Sequence, residues 1–384
     1  MGIQPCCAVK ENKDNLNNQI EPNSNSNGII QQNVSPILSQ NYSNLNAAPN
    51  NLAGSMNSMN PVQSQQSLAL SQNSHVSLGQ SVNSLGLNNS INPNMSMKSG
   101  AFKCINTFQA HKDKIVALIE LSSHNIASGS YDSTIKIWDI NTQQCIKTIK
   151  ENGNVLCLLE FQPNMLLTGT DENTIQLWNI ENPTSPLNIF EGHLLWVNTL
   201  VKCNEKYFAS GSNDSDIRIW SWDEQNCVNV LKGHSNCVLT MVLLQDGNLC
   251  SGSADLTLKV WDWVNGNCLK TLTGHTKWVK CVYQLSNGYI ISGSDDRTIK
   301  VWNNYNCIKD LIGHQKSVRS FCQISNDLFA SASFDKTIKI WNISNLTLYQ
   351  TLEGHQANVI SLLYHSSGYL ISCSTDETIK IWKK

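Results

Sequence analysis

The stretch SGSDDRTIKVWN, residues 292–303, decides the fold because the chain repeats it. Just before the Trp, in residues 298–301, polar and apolar residues alternate, which is typical of a half-buried β-strand. The Trp of this repeated motif recurs every 39 to 42 residues. A period of this length indicates one supersecondary unit per copy. The other copies are SGSYDSTIKIWD (128–139), TGTDENTIQLWN (168–179), SGSNDSDIRIWS (210–221), SGSADLTLKVWD (251–262), SASFDKTIKIWN (331–342) and SCSTDETIKIWK (372–383).

A Gly-His or Ala-His dipeptide precedes most copies at a fixed distance. The His lies 21 residues before the Asp of the phrase, and the Trp lies six residues after that Asp. Equal spacing predicts the same local structure in each of these repeats. The six His residues are His111, His193, His234, His275, His314 and His355.

The period of about 40 residues, with its Gly-His and Trp-Asp signatures, resembles the WD40 family over residues 102–384. The resemblance implies an all-β fold, a seven-bladed β-propeller with four strands in each blade. Trp is followed by Asp only in the first and fourth copies, at Trp138 and Trp261. We therefore expect a WD40 propeller over residues 101–384, preceded by a separate segment, residues 1–100.

The last phrase, ending in Trp382, has no strand after it to complete its blade. Most other copies are followed by a further strand, such as NCIKDLIGH at 306–314. A similar segment, KCINTFQAH at 103–111, stands before the first repeat without a blade of its own. We expect a strand at residues 102–108 to complete the last blade and close the ring, which removes a free sheet edge.

Each regular repeat contains Ser, His and Asp, the residue types of a hydrolase triad. The WD40 resemblance implies instead that they form, with the Trp, a buried hydrogen-bonded tetrad joining the outer loop to the turn between strands b and c. Recurrence in six repeats favours architecture and predicts no enzymatic activity; a hydrolase using one set is the competing hypothesis. The expected tetrads are His111, Ser128, Asp132, Trp138; His193, Ser210, Asp214, Trp220; His234, Ser251, Asp255, Trp261; His275, Ser292, Asp296, Trp302; His314, Ser331, Asp335, Trp341; and His355, Ser372, Asp376, Trp382.

The second repeat departs from this pattern. Its segment KENGNV, residues 150–155, has no Gly-His and is one residue shorter, and Glu172 stands in the place of the Asp. We expect its tetrad to be absent and residues 149–180 to form the least stable blade.

The family resemblance places partner contacts on the top face, at the third and fifth residues after each His and at the residue before each Asp. Trp, Tyr and Arg, which dominate interface hot spots, occupy several of these positions. Phosphopeptide-reading propellers usually show several arginines there, whereas this chain offers Arg319 and Lys280. We expect a protein or peptide interface formed by Lys114, Tyr131, Trp196, Asn198, Trp278, Lys280, Asp295, Arg319, Phe334 and Asn358; in the second repeat the same positions are best placed at Asn154, Leu156 and Asp171.

Composition narrows the function classes. The net charge is −2 and only three residues are Arg, which argues against non-specific nucleic-acid binding. The 14 Cys include no CxxC pair, so we expect a reduced, cytoplasmic setting with no metal or other cofactor. Half of the Cys recur at two repeat positions and are interpreted as small hydrophobic residues: Cys104, Cys145, Cys227, Cys268 and Cys307, and Cys157 and Cys281.

The first hundred residues differ from the rest. Between Pro22 and Met97 there is no charged residue, and Asn, Ser and Gln dominate, which predicts a disordered tail. The chain opens with MGIQPCC, in which Gly2 is a candidate for myristoylation and Cys6 and Cys7 are candidates for palmitoylation. Acylation at these sites would bring the protein to the cytoplasmic face of a membrane; the alternative is an unmodified tail.

Together these features predict a monomeric, non-enzymatic scaffold or adaptor that binds other proteins on its top face. Peripheral membrane association through the acylated N-terminus is part of this hypothesis. The alternative is a substrate-recognition subunit of a multi-protein enzyme complex such as a ubiquitin ligase.

Overall fold

Every regular element in the described part of the chain, residues 100–384 of the computed structural model, is a β-strand. Seven antiparallel sheets of four strands are arranged as the blades of a propeller. In each blade the strands are named a to d from the centre outward. The a strands of neighbouring blades contact one another, and β2 (Ile115–Glu120) contacts β26 (Val359–Tyr364), so the ring is closed.

The blades follow one another in chain order. Blades 1 to 3 contain β2, β3 (Ile126–Ser130), β4 (Thr134–Trp138) and β5 (Cys145–Lys150); β6 (Val155–Gln162), β7 (Met165–Thr170), β8 (Ile175–Asn179) and β9 (Asn188–Phe190); and β10 (Val197–Lys202), β11 (Tyr207–Ser212), β12 (Ile217–Ser221) and β13 (Cys227–Leu231). Blades 4 and 5 contain β14 (Val238–Leu243), β15 (Leu249–Ser253), β16 (Leu258–Asp262) and β17 (Asn267–Leu272); and β18 (Val279–Gln284), β19 (Ile290–Ser294), β20 (Thr298–Asn303) and β21 (Asn306–Ile312). Blades 6 and 7 contain β22 (Val318–Gln323), β23 (Leu328–Ser333), β24 (Ile338–Asn342) and β25 (Thr347–Leu352); and β26, β27 (Leu370–Ser374), β28 (Thr378–Lys383) and β1 (Lys103–Gln109).

Blade 7 is completed by the first strand of the propeller. β1 pairs antiparallel with β28, and Lys103 lies opposite Lys383. The backbone N–H of Phe102 donates to Gln350 Oε1 at 2.9 Å, and Gln350 Nε2 donates back to the Phe102 carbonyl at 2.9 Å. Gln350 belongs to blade 6, so the start of the propeller is held by two blades. The closing strand expected at residues 102–108 is confirmed, with its bounds one residue later in the chain.

Glycine in the repeated Ser-Gly-Ser segment lets neighbouring blades approach closely. A Cβ added to Gly211 of β11 would lie 2.6 Å from Cγ1 of Val238 in the next blade, far inside van der Waals contact. In this arrangement a side chain at Gly211 would force that valine to move. Equivalent contacts of 2.5–2.7 Å arise at Gly129, Gly252 and Gly293, whereas Ala332 and Cys373 take this place in blades 6 and 7.

Hydrophobic cores lie between neighbouring blades. Ala209 and Ile219 of blade 3, for example, pack with Leu249 and Trp261 of blade 4. Trp261 is fully buried. Each repeat therefore buries its apolar surface against the next repeat, as expected for units that cannot form a core alone.

The repeated cysteines divide into two groups. Cys157 and Cys281 lie in the cores between blades, and burial raises the pKa of the Cys157 thiol to about 12. The other group lies on the outermost strands, where Cys104, Cys145 and others are exposed. The interpretation as packed hydrophobic residues is wrong for Cys104, Cys145, Cys268 and Cys307, because their position falls at a β-bulge on the solvent side of strand d. Cys227 is the exception, since it is half-buried and packs against the core between blades 2 and 3.

Several expectations concern residues outside the described part of the chain. These are the disordered tail, predicted over residues 1–100, of which residues 1–99 are not described, and the acylation sites Gly2, Cys6 and Cys7. Across residues 100–384, no helix is long and apolar enough to cross a bilayer.

Candidate functional site

The tetrad of blade 5 shows how the repeated Ser, His, Asp and Trp residues are connected. His275 Nδ1 donates to the Asp296 carboxylate at 2.8 Å, and His275 Nε2 lies 2.8 Å from the Ser292 hydroxyl. That hydroxyl accepts the indole N–H of Trp302 at 2.8 Å. Both Ser292 and Trp302 are buried, so the network joins strands b and c to the loop that precedes strand a.

The same network occurs in five further blades. Across the six tetrads the His–Asp distance is 2.7–3.0 Å, the His–Ser distance 2.6–2.8 Å and the Trp–Ser distance 2.7–2.9 Å. Each tetrad serine is fully buried and its hydroxyl accepts from an indole. A hydroxyl held in this way is not presented to a substrate, which agrees with the architectural interpretation.

The electrostatics of the tetrads favour an ionised Asp. Burial raises the pKa of Asp214, but hydrogen bonds from His193 and from the backbone N–H groups of Leu194 and Asp216 outweigh it and lower the pKa to about 2. Burial lowers the pKa of His111, an effect that its contact with Asp132 partly opposes.

Blade 2 contains a network of three residues, Glu151, Thr168 and Trp178, in place of the tetrad of the other blades. Glu151 occupies the place of the His, and its Oε1 accepts the Trp178 indole N–H at 2.7 Å. The Thr168 hydroxyl, in the place of the Ser, donates to the same oxygen. Glu151 precedes Glu172 by the same 21 residues that separate His from Asp elsewhere, so this part of the repeat is not shortened. The sequence pattern did not indicate Glu151, because the other repeats have a Gly-His or Ala-His at this place.

The tetrads position the loops of the top face, defined here as the face that carries the d–a loops and the b–c turns. In blade 5, Asp296 accepts the backbone N–H of Thr276 at 3.0 Å and that of Thr298 at 2.9 Å. The Ser294 hydroxyl donates to the Lys277 carbonyl at 3.1 Å and accepts from the Asp296 N–H at 3.0 Å. The hydrogen bonds of Asp296 and Ser294 thus hold the d–a loop and the b–c turn of blade 5 together.

One backbone hydrogen bond brings the predicted contact positions together in every blade. The residue before the tetrad Asp donates its N–H to the carbonyl of the third residue after the His, as Asp295 does to Trp278 at 3.0 Å. In blade 2, Asp171 donates in the same way to Asn154 at 3.3 Å, which agrees with the placement of these positions there. The remaining pairs are Tyr131 with Lys114, Asn213 with Trp196, Ala254 with Cys237, Phe334 with Ser317, and Thr375 with Asn358.

Blades 5 and 6 share a cluster of predicted contact residues. Lys280 Nζ lies 4.3 Å above the Trp278 ring and 3.7 Å from the Asp295 carboxylate. Asp295 also accepts from the Ser317 hydroxyl of blade 6. In blade 6 the Arg319 guanidinium lies 4.9 Å from the centre of the Phe334 ring.

The other predicted residues lie elsewhere on the same face. Lys114 stacks on Tyr131 at 4.0 Å in blade 1, away from the blade 5–6 cluster. In blade 3, Asn198 Nδ2 donates to Asn213 Oδ1 and to the Val238 carbonyl of blade 4, each at 2.8 Å. The structure therefore distributes these residues around the channel mouth instead of forming one continuous site.

A cleft of about 310 Å³ opens on the top face between blades 4 and 5. It is lined by Trp278 and Asp295, which the sequence pattern indicated, and by Leu256, Thr276 and Lys277, which it did not. Leu194, two residues before Trp196, is 76% exposed and was also missed. These residues lie one or two positions after a tetrad His or Asp, and that proximity is the signal that could have found them.

Within residues 100–384, no group of three or more His, Cys, Asp or Glu side chains is arranged to hold a metal ion. The polar side chains of the tetrads instead bond to one another. The arrangement is that of a surface built to make contacts, with aromatic rings and cations on loops of fixed position.

Seven four-stranded blades with a repeated buried network define a seven-bladed β-propeller. The WD domain, G-beta repeat family matches six segments of the chain, and the chain belongs to this WD40 family. The first three strands of blade 2, which carry the substituted network, fall between the first two matched segments. The matched residues are 102–139, 184–221, 225–262, 266–303, 305–342 and 346–383.

Similar proteins share the repeat over short segments. Mitochondrial division protein 1 of Eremothecium gossypii is 45% identical over 49 residues, 13% of this chain and 7% of that protein. Human pre-mRNA-processing factor 17 is 25% identical over 129 residues, 32% of this chain and 22% of that protein. A probable E3 ubiquitin ligase complex SCF subunit, scon-2 of Neurospora crassa, is 38% identical over 52 residues, 14% of this chain and 8% of that protein. The matches thus span only a small part of each relative.

Among solved structures, the WD40 β-propeller domain of Doa1 superposes with a TM-score of 0.67 at 23% identity. The match covers 74% of this chain and 97% of the Doa1 domain. At this identity the similarity supports the fold alone.

Proposed function

We propose that this protein is a non-enzymatic scaffold that binds partner proteins through the top face of its propeller. WD40 propellers generally bind other proteins and are not enzymes. The observation that carries the proposal is the group of half-buried aromatic residues on that face, Tyr131, Trp196, Trp278 and Phe334. Aromatic residues with one face accessible dominate the energy of protein interfaces.

The rigidity of the loops supports the same function. Trp278 and Asp295 lie on a loop and a turn that the blade 5 tetrad and Ser294 hold together. A surface that is ordered before binding loses less conformational entropy when a partner docks. The tetrads therefore contribute to binding through the loops, although their own side chains are buried.

The test compares partner recovery by the full-length protein and two variants in its own cells. The variant Trp196→Ala/Trp278→Ala removes two aromatic rings of the top face. The control, Tyr349→Ala, removes an aromatic ring on the outer strand β25. Proteins recovered with the wild type and the control, but lost from the double variant at unchanged melting temperature, are expected. Equal recovery with all three proteins would contradict the proposal.

A second candidate function is substrate recognition within a multi-protein enzyme such as a ubiquitin ligase. The similarity to the probable SCF subunit scon-2 favours it, although it covers 14% of this chain. Stoichiometric co-purification of ligase subunits would support this function, and recovery of other partners alone would oppose it.

We also propose that the protein is held at the cytoplasmic face of a membrane by its N-terminus. Gly2 follows Met1, and Cys6 and Cys7 offer a second acylation site. A single myristoyl chain binds membranes only marginally, so stable anchoring needs the second chain. The intact mass of the N-terminal peptide, isolated from the protein's own cells, tests this. Loss of Met1 with two acyl chains supports anchoring, and an unmodified peptide contradicts it.

A further inference from the structure

Basic side chains are concentrated on one arc of the top face, in the loops and inner strands of blades 5 and 6. The pair closest to the channel lies on the innermost strands β18 and β22, and the other four are exposed on d–a loops and b–c turns. We call these six residues the basic arc: Lys277, Lys280, Arg297, Lys316, Arg319 and Lys336.

The charge of the top face is asymmetric. At the corresponding positions, blades 2 and 3 have no Lys or Arg, and blade 2 presents Asp171 and Glu172. Blade 1 has Lys112 and Lys114, with Asp113 between them. The basic arc thus faces an acidic and neutral arc across the channel, although the whole chain carries a net charge of only −2.

Most of the arc has no anionic partner. Among residues 100–384, Lys280 pairs with Asp295 at 3.7 Å, but no ion pair is formed by the other five cations. The Nε atom of Arg319 is buried and has no hydrogen-bond partner in this part of the chain. A buried donor without an acceptor costs free energy. Arg319 as a whole is only half-buried, so an anion could bind the guanidinium group from the solvent side.

The arc is continuous with the cleft between blades 4 and 5. In the cleft, Leu256 on the b–c turn of blade 4 lies near Lys277 on the next d–a loop. One blade further on, the repeat places Arg297 and Lys316 at these two positions. The same arrangement thus places a leucine beside a lysine at one junction and a pair of cations at the next.

We infer that the basic arc binds an acidic segment of a partner protein, whose anionic side chains contact Arg297, Lys316 and Arg319 while an apolar side chain enters the cleft beside Trp278 and Leu256. The inference rests on the proposed function, because it names the class of partner for the same face. Arginine binds carboxylate or phosphate through two parallel hydrogen bonds. Charge complementarity of this kind fixes the orientation of a partner and accelerates its association.

An extended acidic peptide suits this surface better than an anionic bilayer or a nucleic acid. A bilayer or a duplex pressed against the top face would also meet Asp171 and Glu172 on the opposite arc. A peptide follows the arc alone, and its alternating side chains can reach both the cations and the cleft. Leu256 and Trp278 in the cleft give such a peptide an apolar anchor that a phosphate backbone does not need.

The test measures fluorescence anisotropy of short labelled peptides with the full-length protein. The probe is a peptide of Glu and Asp residues with one central Leu. One matched control replaces every Glu and Asp by Gln and Asn, and another replaces the Leu by Gly. Two further probes are a version with phosphoserines among the acidic residues and vesicles of phosphatidylserine with phosphatidylcholine.

Charge reversal assigns the binding to the arc. The variant Arg297→Glu/Lys316→Glu changes two exposed residues of the arc. The control Lys206→Glu/Lys270→Glu changes two exposed residues on other faces by the same total charge. We expect the arc variant to weaken binding of the acidic peptide about tenfold or more and the control to change it less than about twofold. The acidic peptide with Gly in place of Leu is expected to bind the wild type more weakly than the Leu peptide does. A Trp278→Ala variant is expected to bind the two peptides equally.

Several outcomes would overturn the inference. Equal affinity for the acidic and the Gln/Asn peptides would do so, as would equal weakening by the two charge-reversal variants. Vesicle binding that depends on the arc, without peptide binding, would assign the arc to a membrane instead. Tighter binding of the phosphorylated probe would identify phosphate as the source of the anion and retain the arc as the site.

Failure of this inference and failure of the proposed function give different results. Partners lost with Trp196→Ala/Trp278→Ala but retained by Arg297→Glu/Lys316→Glu would leave a top-face scaffold whose partner is not acidic. An acidic peptide that binds the arc, together with unchanged partner recovery in the Trp variant, would contradict the scaffold proposal alone.

Discussion

The indole N–H of Trp178 donates to Glu151 Oε1 at 2.7 Å, where the other six blades join Trp to a serine hydroxyl. A carboxyl group therefore lies in the interior of blade 2, in the place of an imidazole. Its second oxygen, Oε2, is buried and has no hydrogen-bond partner within residues 100–384, and the same holds for Gln176 Oε1. Burial raises the pKa of Glu151, and the hydrogen bonds from Thr168 and Trp178 oppose this only in part.

The raised pKa predicts that blade 2 makes stability depend on pH. The folded protein holds the Glu151 proton more tightly than the unfolded chain does, so this contribution is present at acid pH. It is lost as the pH rises above 4.5, the value for the free side chain, and through the folded-state pKa. The substitution Glu151→Gln keeps the shape and removes the charge. We expect it to raise the free energy of unfolding at neutral pH by about 1 kcal/mol.

Denaturant unfolding from pH 4 to pH 8 measures this effect. The matched control is Glu172→Gln, which removes a carboxyl group that is exposed at the neighbouring turn. The difference between Glu151→Gln and the wild type should grow with pH, while the control stays parallel to the wild type. A Glu151→Gln variant that is less stable than the wild type at pH 8 would show that the charged carboxylate stabilises the blade.

Blade 2 also shows what the sequence could predict and what it could not. Seven blades and their closure can be predicted from the sequence. The repeat period, the Trp strands and the unmatched segment before His111 are sufficient for this prediction. Glu151 was missed although its spacing to Trp178 in the sequence equals that of His275 to Trp302. A Glu at this position can be recognised as a replacement for the His only when its burial is known. The basic arc was missed for another reason: neighbouring loops of a propeller are about 40 residues apart in sequence, and only the ring brings them together.

The tetrad carboxylates predict loss of stability in acid. The pKa of Asp214 is lowered to about 2, so its contribution is complete above the free-chain value of 3.8 and is lost as the pH falls toward 2. Asp214→Asn is expected to lower the free energy of unfolding at pH 7 by about 1.5–3 kcal/mol, the value of a hydrogen bond to a charged group. Its stability should also fall less than that of the wild type between pH 4 and pH 2. Asp223→Asn, at an exposed site, is the control, and equal acid sensitivity of Asp214→Asn and the wild type would refute the role of this carboxylate.

Close packing at Gly211 predicts that the smallest enlargement is costly. An added methyl group would meet Val238 Cγ1 at 2.6 Å and Thr199 Cγ2 at 2.9 Å, so two strands must move apart. We expect Gly211→Ala to lower stability by about 1–3 kcal/mol, as overpacking does in other cores. The reciprocal change Ala332→Gly, at the same position of blade 6, should cost about 0.5–1 kcal/mol through strand flexibility. Urea unfolding of the wild type and the two variants measures these stability differences. A Gly211→Ala variant as stable as the wild type would mean that the blade interface adapts to the added methyl group.

Closure of the ring by β1 predicts that a short deletion is more harmful than a long one. Removing residues 102–110 leaves the outer edge of β28 unpaired and removes Phe102, which packs in the core between blades 6 and 7. An exposed strand edge and an opened core allow the blades to separate, so we expect a broad, non-cooperative thermal transition at lower temperature. Removing residues 1–95 keeps β1, Phe102 and its hydrogen bonds to Gln350, and should leave the transition of the propeller sharp and nearly unshifted. Differential scanning calorimetry compares the two truncations, and equal melting behaviour would show that β1 is not what closes the propeller.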